Sequence, residues 1–263
     1  MIILFGTIIE GSVFMKTGII GFGNLGRALC EGLIRSGTAS PSDIFVCDAN
    51  ADARAFAVGN FGASAFESVS EVVTKSELVF LTVKSYVFEA LAPEIKGCDL
   101  SEKTFVSFMA GVRFDAIYSL IGTVKLVRAM PSLAISSCDG VIGYTACEPA
   151  VSEIFHKLGY AFETAPENIE KVMAFSSCGL GFAAYLISAF SKAGEGMGFP
   201  AEVCDMIAAR TFKNAIDRGG FTETVAAVAT KGGATEQGVL HMEGKNVFGI
   251  LEDAVNKAYL KMQ

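Results

Sequence analysis

The sequence has few of the residues that build metal centres and nucleophilic catalytic sites. Only two histidines occur among 263 residues, His156 and His241, and the seven cysteines form no Cys-x-x-Cys pair. These residues are too scattered for a zinc site or a cysteine-histidine cluster, so no metal is expected. We assign neither histidine a catalytic role. The cysteines are odd in number and dispersed along the chain. We interpret them as reduced thiols of a cytoplasmic protein, because disulfides are rare in that compartment.

Charged residues are also scarce, and no basic excess is present. They make up 19% of the chain, whose formal net charge is -7 at pH 7. Nucleic-acid binding is not expected, because it needs a basic face to neutralise phosphates. A membrane span is not expected either, since no apolar run reaches spanning length without a charge or several glycines. The 51% of hydrophobic residues instead indicate buried parallel strands and a subunit interface.

The N-terminal segment 1–14 is apolar, but it carries Glu10 and lacks a positively charged start. It therefore fits neither a signal peptide nor a membrane anchor. A strand-like start recurs at 15–20, which leaves two interpretations open: Met15 is the natural first residue, or the preceding segment forms an extra strand.

The rest of the chain shows two successive patterns. From 16 to about 164, short β-branched or aromatic runs alternate with amphipathic segments, as in βαβ units. Strands are predicted at 16–21, 43–47, 78–83, 104–108, 124–129 and 141–145. Helices are predicted at 24–36, 50–60, 67–75, 86–96, 113–121 and 150–158, and then at 167–196, 200–218 and 246–262. The sequence therefore predicts an α/β fold, with an N-terminal Rossmann domain on a parallel sheet at 15–164 and an all-α domain at 165–263.

A glycine-rich motif lies between the first predicted strand and helix. It reads Gly21-Phe22-Gly23-Asn24-Leu25-Gly26. The first glycine permits a tight turn, the second lets the backbone approach a pyrophosphate, and the third allows close packing of helix on strand. The helix N-terminus adds amide donors and a positive dipole end. The motif predicts a dinucleotide cofactor.

An acidic residue ends the second predicted strand, in Asp48-Ala49-Asn50. Asp48 follows the glycines at about the spacing of 20 residues at which an acid binds the adenosine ribose hydroxyls. This role favours NADH over NADPH. In the alternative interpretation Asp48 or Asn50 only caps the next helix. Arg54, one helical turn further on, could still reach a 2′-phosphate.

Two later strand ends also border the predicted cofactor cleft. One is Thr82-Val83-Lys84, where Lys84 either faces the cofactor or is a solvated strand-end lysine. The other continues into Met109-Ala110-Gly111, whose small residues leave room for a nicotinamide ring. We predict that both segments bind the cofactor.

A second glycine loop lies in the all-α half, at Lys231-Gly232-Gly233-Ala234-Thr235. Backbone amides at such a junction of loop and helix form a nest suited to a carboxylate, with Thr235 as hydroxyl donor. A plain helix N-cap at Thr235 is the alternative.

Taken in order, these motifs resemble those of the pyrroline-5-carboxylate reductase family across residues 16–262. The matching segments are Gly21-Phe22-Gly23-Asn24-Leu25, Val83-Lys84, Ala110-Gly111-Val112, Arg128-Ala129-Met130-Pro131 and Lys231-Gly232-Gly233-Ala234-Thr235.

The resemblance implies reduction of a small cyclic imine acid, Δ1-pyrroline-5-carboxylate, to L-proline by hydride from NADPH or NADH. It also implies that the all-α half is a dimerisation and substrate domain. The chain would then form a homodimer or a higher assembly of dimers, in which the interlocked helices of two chains complete each site. Carried over by position, Thr235 hydrogen-bonds the imine nitrogen, and the loop from Lys231 to Thr235 binds the substrate carboxylate.

Some positions depart from the family pattern, which keeps two other functions open. Ser85-Tyr86 stands where the family has Pro-Gln, and Lys231 replaces a proline. One alternative is a related NAD(P)H-dependent imine or β-hydroxyacid oxidoreductase, although the segment 179–185 lacks the lysine that a β-hydroxyacid dehydrogenase uses. The other is a dinucleotide-binding regulatory protein without turnover.

Overall fold

The computed structural model describes residues 15–262, so the alternatives for segment 1–14 lie outside the described residues. The chain folds into two compact units, one ending at Met173 and the other beginning at Ala174. This division falls later than the predicted boundary between 164 and 165. The intervening segment stays with the first unit because Ile169 and Glu170 are buried and their short helix packs on two strands of its sheet.

Residues 15–173, the described part of the first unit, are built on one eight-stranded sheet. Its strands are β1 (Thr17–Ile20), β2 (Ile44–Cys47), β3 (Ser64–Phe66), β4 (Leu78–Leu81), β5 (Thr104–Ser107), β6 (Lys125–Pro131), β7 (Gly140–Tyr144) and β8 (Gly159–Glu163). The strand order is β3-β2-β1-β4-β5-β6-β7-β8, and every neighbouring pair except β6 with β7 is parallel. The predicted α/β fold with a parallel sheet is therefore confirmed for most of the sheet.

The central strands are buried on both faces of the sheet. Every residue of β1, β4 and β5 is buried, as expected for parallel strands that read as continuous apolar runs. Alternate side chains enter two separate hydrophobic cores: Ile19 and Phe80 lie in one, and Ile20 and Leu81 lie in the other. The helices that cover the two faces complete these cores.

The helices of the first unit match the predicted ones closely. They are α1 (Asn24–Arg35), α2 (Ala51–Phe61), α3 (Val69–Lys75), α4 (Ser85–Lys96), α5 (Phe114–Ile121), α6 (Pro149–Lys157) and the short α7 (Ile169–Val172). The six predicted between 24 and 158 are all present.

Strand order places a crevice at one edge of the sheet. From β1 the chain continues to β2 and β3 on one side, and then returns to β4 on the other side of β1. The loops that leave β1 and β4 therefore diverge at their carboxyl ends, which is where open α/β sheets bind ligands. The glycine motif and Thr82-Val83-Lys84 follow these two strands.

The sequence did not reveal β3, β8 or the antiparallel direction of β7. β3 has only three half-buried residues, and β8 carries the exposed Tyr160 and Glu163, so neither reads as a buried apolar run. β7 runs antiparallel because the connection 132–139 holds only a short 3-10 turn. A parallel crossover needs about a dozen residues or more.

The second unit is all-helical, as predicted. Its helices are α8 (Cys178–Gly196), α9 (Ala201–Arg218), α10 (Phe221–Val228), α11 (Ala234–Gly244) and α12 (Val247–Leu260). Of these, α10 was not predicted, because its eight residues are set off by the glycines 219 and 220, both with positive φ. A π-helical segment, Met173–Ser177, precedes α8.

α8 and α9 pack closely against each other in the second unit. Ser191 Oγ donates to Asp205 Oδ1 at 2.6 Å, and a Cβ on Gly194 would lie 2.9 Å from Cys204 Sγ. Around this pair little is buried: among the described residues α10, α11 and α12 contain no buried side chain. Met197 and Phe248 are each 79% exposed. The second unit of a single chain therefore leaves most of its apolar side chains uncovered.

One helical stretch, Pro166–Gly196, is long and apolar enough to cross a membrane by length and composition alone. Its most apolar window has a mean hydropathy of 1.6 and is only 6% buried. The stretch contains several glycines, and an exposed apolar helix also suits a protein interface. The expectation that the chain binds no membrane stays a prediction.

Candidate active site

The glycine motif forms a tight turn between β1 and α1, and each glycine has a distinct local reason. Gly21 has φ +97°, which disfavours other residues. A Cβ on Gly26 would lie 2.1 Å from the Gly21 carbonyl oxygen, so α1 could not pack against the turn with a side chain there. A Cβ on Gly23 would meet no atom within 4 Å. The backbone at Gly23 is therefore open to an approaching group.

The N-terminus of α1 offers amide donors at this open backbone. Gly23 is the N-cap, and no side chain caps the helix. The first-turn amides of an α-helix have no partner within the helix, so those of Asn24, Leu25 and Gly26 can donate to an anion. This is an arrangement that fits a pyrophosphate.

Thr82 and Val83 support the glycine turn from β4. The Thr82 hydroxyl donates to the Gly21 carbonyl at 2.6 Å and to the Ile20 carbonyl at 3.0 Å. The Val83 side chain fills the space beside Gly21, where a Cβ would come within 2.6 Å of it. Both residues thus hold the turn in place.

Asp48 connects the loops that leave β1 and β2. Its Oδ2 accepts from the Phe22 amide at 2.6 Å, and its Oδ1 accepts from the Asn50 amide at 2.8 Å. The side chain of Asn50, not that of Asp48, caps α2 by accepting from the amides of residues 52 and 53. Asp48 is half-buried, whereas Ala49 and Asn50 are exposed.

Two arginines flank this loop pair. Arg54 donates to the carbonyls of Asp48 and Ala49 at 2.7 and 3.0 Å. Arg27 donates through Nε to the Phe22 carbonyl at 3.1 Å, and its guanidinium lies 4.4 Å from the centre of the Phe56 ring. Arg27 was not predicted from the sequence, although its place directly after the last glycine of the motif is a usable signal.

The loop after β4 is exposed at the carboxyl edge. Lys84 is the N-cap residue of α4 and is exposed, as is Ser85. Tyr86 follows with 66% of its surface exposed.

The loop after β5 turns sharply at Gly111, which has φ +69°. Met109 is buried, and its amide donates to Ser107 Oγ at 3.3 Å, whereas Ala110 and Gly111 are exposed. The small exposed residues leave the space that a ring would need.

A buried ion pair lies below this loop. Arg128 is 1% exposed, and its Nη2 lies 2.5 Å from Glu170 Oε1 and 3.5 Å from the Met109 carbonyl oxygen. Its Nε has no hydrogen-bond partner among the described residues. A buried charge needs an opposite charge beside it, and Glu170 provides one for the guanidinium of Arg128. Glu170 was not predicted from the sequence, since nothing in its local pattern indicates a buried carboxylate.

In the second unit, the predicted substrate loop joins α10 to α11. Gly232 has φ +79°, and the Gly233 amide donates to the Thr230 carbonyl at 2.8 Å. The Gly232 amide donates to Glu236 Oε2 at 2.6 Å. Gly233 is the N-cap of α11, so Thr235 is the second residue of the helix and not its N-cap, which corrects the alternative interpretation. Its side chain is exposed.

Three cysteines of the first unit are poor candidates for a reactive thiol. Burial raises the pKa of the Cys30 thiol to about 12 and that of Cys47 to about 11. Burial likewise raises the pKa of Cys147 to about 11. These thiols are protonated at neutral pH and are poor nucleophiles. Residues 15–262 contain no group of three or more His, Cys, Asp or Glu side chains that could hold a metal ion.

The first unit thus brings together the predicted cofactor residues that follow β1, β2, β4 and β5, because all four strands are parallel and end at one edge. The loop from Lys231 to Thr235 is a feature of the second unit.

Sequence profiles of two known families match successive parts of the chain. The profile described as NADP oxidoreductase, coenzyme F420-dependent, matches residues 16–111. The profile described as pyrroline-5-carboxylate reductase dimerisation matches residues 166–263.

Curated relatives are similar along nearly the whole chain. A pyrroline-5-carboxylate reductase from Escherichia coli is 28% identical over 261 residues, covering 94% of this chain and 97% of its own. Pyrroline-5-carboxylate reductase 3 from Danio rerio is 30% identical over 249 residues, covering 87% and 84%.

Solved structures of similar fold include two reductases of this kind. The Plasmodium falciparum pyrroline carboxylate reductase with NADP bound has a TM-score of 0.85 at 20% identity, covering 94% of this chain and 97% of its own. The Coxiella burnetii pyrroline-5-carboxylate reductase has a TM-score of 0.82 at 24% identity, covering 95% and 97%. An imine reductase from a Pseudomonas species has a lower TM-score of 0.58 at 20% identity, covering 93% and 87%.

Proposed function

The chain belongs to the pyrroline-5-carboxylate reductase family, and we propose on that basis that it reduces Δ1-pyrroline-5-carboxylate to L-proline with NADPH or NADH as hydride donor. The observation that carries the proposal is similarity to such reductases through both halves of the chain. The open Gly23 backbone at an uncapped helix N-terminus supports the cofactor assignment.

The protein's part in this reaction is to bind, orient and supply one hydrogen bond. Reduction of a C=N bond needs hydride at carbon and a proton at nitrogen, but no covalent nucleophile or metal. The bound nicotinamide supplies the hydride. For transfer, the imine carbon has to be held about 3–3.5 Å from it.

Thr235 is our candidate for the residue that touches the reacting atoms. Its exposed hydroxyl, on the second residue of α11, can donate a hydrogen bond to the imine nitrogen. We assign the substrate carboxylate to the loop from Lys231 to Thr235. The first-turn amides of Ala234 and Thr235 have no partner within the helix, and the Lys231 side chain adds a positive charge.

The cofactor is assigned to the loops at the carboxyl edge of the sheet. The pyrophosphate would lie at Gly23 and the first turn of α1, and the nicotinamide would lie at Ala110 and Gly111. Thr82 and Val83 would act by holding the glycine turn, and Lys84 by its charge. Asp48, with Ala49 and Asn50, would border the adenosine ribose.

The charge at Asp48 favours NADH, since a 2′-phosphate beside a carboxylate would be repelled. Arg54 is not free to bind a 2′-phosphate, because its guanidinium already donates to two carbonyls of the same loop. We therefore propose NADH as the better of the two donors.

Self-association follows from the dimerisation match and the uncovered apolar surface of the second unit. We propose a homodimer, alone or within a higher assembly. A cavity of about 580 Å³ between α10, α11 and α12, lined by residues such as Phe221, Met242 and Phe248, is part of the surface that a second copy would cover.

We also propose that the protein is cytoplasmic. All seven cysteines, including the partly exposed Cys98 and Cys138, are free. Free thiols persist in a reducing compartment.

Initial-rate oxidation of NADH and NADPH by the purified chain tests the proposed reaction. Rates are measured with Δ1-pyrroline-5-carboxylate, with its six-membered analogue and without imine. Oxidation that depends on the five-membered imine is expected. Faster oxidation with the six-membered analogue would identify a different imine as the preferred substrate. Nucleotide binding without turnover would favour the regulatory alternative.

A further inference from the structure

A carboxylate of the protein itself occupies the predicted substrate loop. Glu236 Oε2 accepts a hydrogen bond of 2.6 Å from the amide of Gly232. The next amide along the loop, that of Gly233, donates instead to the Thr230 carbonyl at 2.8 Å. The loop thus has a donor that takes a carboxylate oxygen.

Part of this arrangement is ordinary helix capping. Glu236 is the third residue of α11 and reaches back past the N-cap Gly233, as the glutamate of a capping box does. Glutamine performs that role equally well, because only an acceptor oxygen is needed. The negative charge adds the modest stabilisation that an acidic side chain in the first turn gains from the helix dipole.

The charge matters because of the substrate assigned to the loop. We propose that Glu236 is a built-in competitor of the substrate carboxylate, which occupies the Gly232 amide in the free enzyme and weakens the binding of imines that carry a carboxylate. The proposal rests on the proposed function and adds a specificity-determining residue to its site.

Two physical effects act in the same direction. A carboxylate-bearing substrate has to displace Glu236 from the Gly232 amide or forgo that hydrogen bond. It also approaches the like charge of the half-buried Glu236. The exposed Lys231 attracts the same substrate, so the affinity depends on the balance of these two side chains. An imine without a carboxylate experiences neither effect.

Glu236→Gln separates the competitor from the cap, because it keeps the acceptor and removes the charge. We expect the KM for Δ1-pyrroline-5-carboxylate to fall about three- to tenfold, with the KM for NADH unchanged and the thermal midpoint lowered by at most about a few degrees, through the lost interaction with the helix dipole. The KM for Δ1-pyrroline, the same ring without the carboxylate, is expected to stay the same. An unchanged or raised KM for the carboxylate substrate would overturn the proposal.

Glu252→Gln is the matched control. Glu252 is an exposed carboxylate on α12, and its removal changes the net charge by the same amount. An equal fall in KM in this variant would mean that general charge, not Glu236, is responsible.

Calorimetric titration with cyclopentanecarboxylate distinguishes a failure of the competitor from a failure of the proposed reaction. Tighter binding to Glu236→Gln than to the wild type would support the competitor, even in an enzyme that reduced neither imine. Equal binding in an enzyme that does reduce Δ1-pyrroline-5-carboxylate would overturn the competitor and leave the reaction intact.

Discussion

Among single residues, Thr235 offers the most direct test of the chemistry. We predict that Thr235→Ala lowers kcat by about 100-fold, because the imine nitrogen loses its donor. Affinity for the dinucleotide should stay within about twofold. Steady-state kinetics and fluorescence titration of the nucleotide measure the two quantities. Thr235→Ser keeps a hydroxyl and should retain most activity; a loss as large as that of alanine would point to packing instead of hydrogen bonding.

Asp48 is the residue that tests nucleotide preference. We predict that Asp48→Ser raises the ratio of kcat/KM for NADPH to that for NADH by about tenfold, which corresponds to about 1.4 kcal/mol. Asp48 also holds the amides of Phe22 and Asn50, so serine is expected to lower the thermal midpoint as well.

Asp48→Asn separates the two effects, since the amide removes the charge and keeps one acceptor. If the ratio stayed fixed in both variants, Asp48 would serve only to join the loops.

Some residues of the candidate site could be predicted from the sequence, and others could not. Gly21 and Gly26 were predicted with their roles, because a positive φ and a close approach leave a recognisable spacing. The burial of Arg128 and its pairing with Glu170 were not predicted, because 42 residues separate them along the chain. Only the packing of α7 on the sheet brings them together.

At the level of the element, the turn from β1 into α1 contains two glycines with separable tasks. We predict that Gly23→Ala leaves the thermal midpoint unchanged, because its Cβ would meet no atom within 4 Å, but weakens dinucleotide binding by at least about tenfold. Gly26→Ala is expected to cost about 1–3 kcal/mol of stability, because its Cβ would collide with the Gly21 carbonyl.

Thermal denaturation together with nucleotide titration distinguishes the two variants. Normal nucleotide binding by Gly23→Ala would contradict the assignment of the pyrophosphate to the first turn of α1.

Elements were predictable where their residues form a continuous pattern. The buried runs of β1, β4 and β5 and the amphipathic helices between them carry their own signals. By contrast, β8 depends on its pairing with β7, and Gly159 adopts φ +146° beside the Gly140 backbone. Such pairing between distant segments leaves little trace in either segment alone.

For the whole molecule, the uncovered second unit predicts an obligate assembly. Phe248→Glu, which puts a charge on a side chain that is 79% exposed in one chain, should shift the protein towards monomer and abolish most activity. Sedimentation velocity and specific activity measure the outcome. Tyr160→Glu in the first unit, at 71% exposure, is the control and should leave the assembly intact. Unchanged assembly in Phe248→Glu would place the interface elsewhere.

The sequence also predicted the two-part plan of the molecule, because the change from alternating strands to long helices is visible near Pro166. It did not place the division at Met173, since α7 looks like the start of the helical half and yet packs on the sheet.

The sparse burial in α10, α11 and α12 has a consequence for the enzyme in dilute solution. If these helices acquire their core only from a second copy, folding and assembly are a single bimolecular event, and mass action links stability to protein concentration. Refolding from denaturant would then be second order in its late phase. In a cell that makes few copies, many subunits would remain unassembled. The enzymatic activity of the cell would therefore rise more steeply than the number of chains that it synthesises.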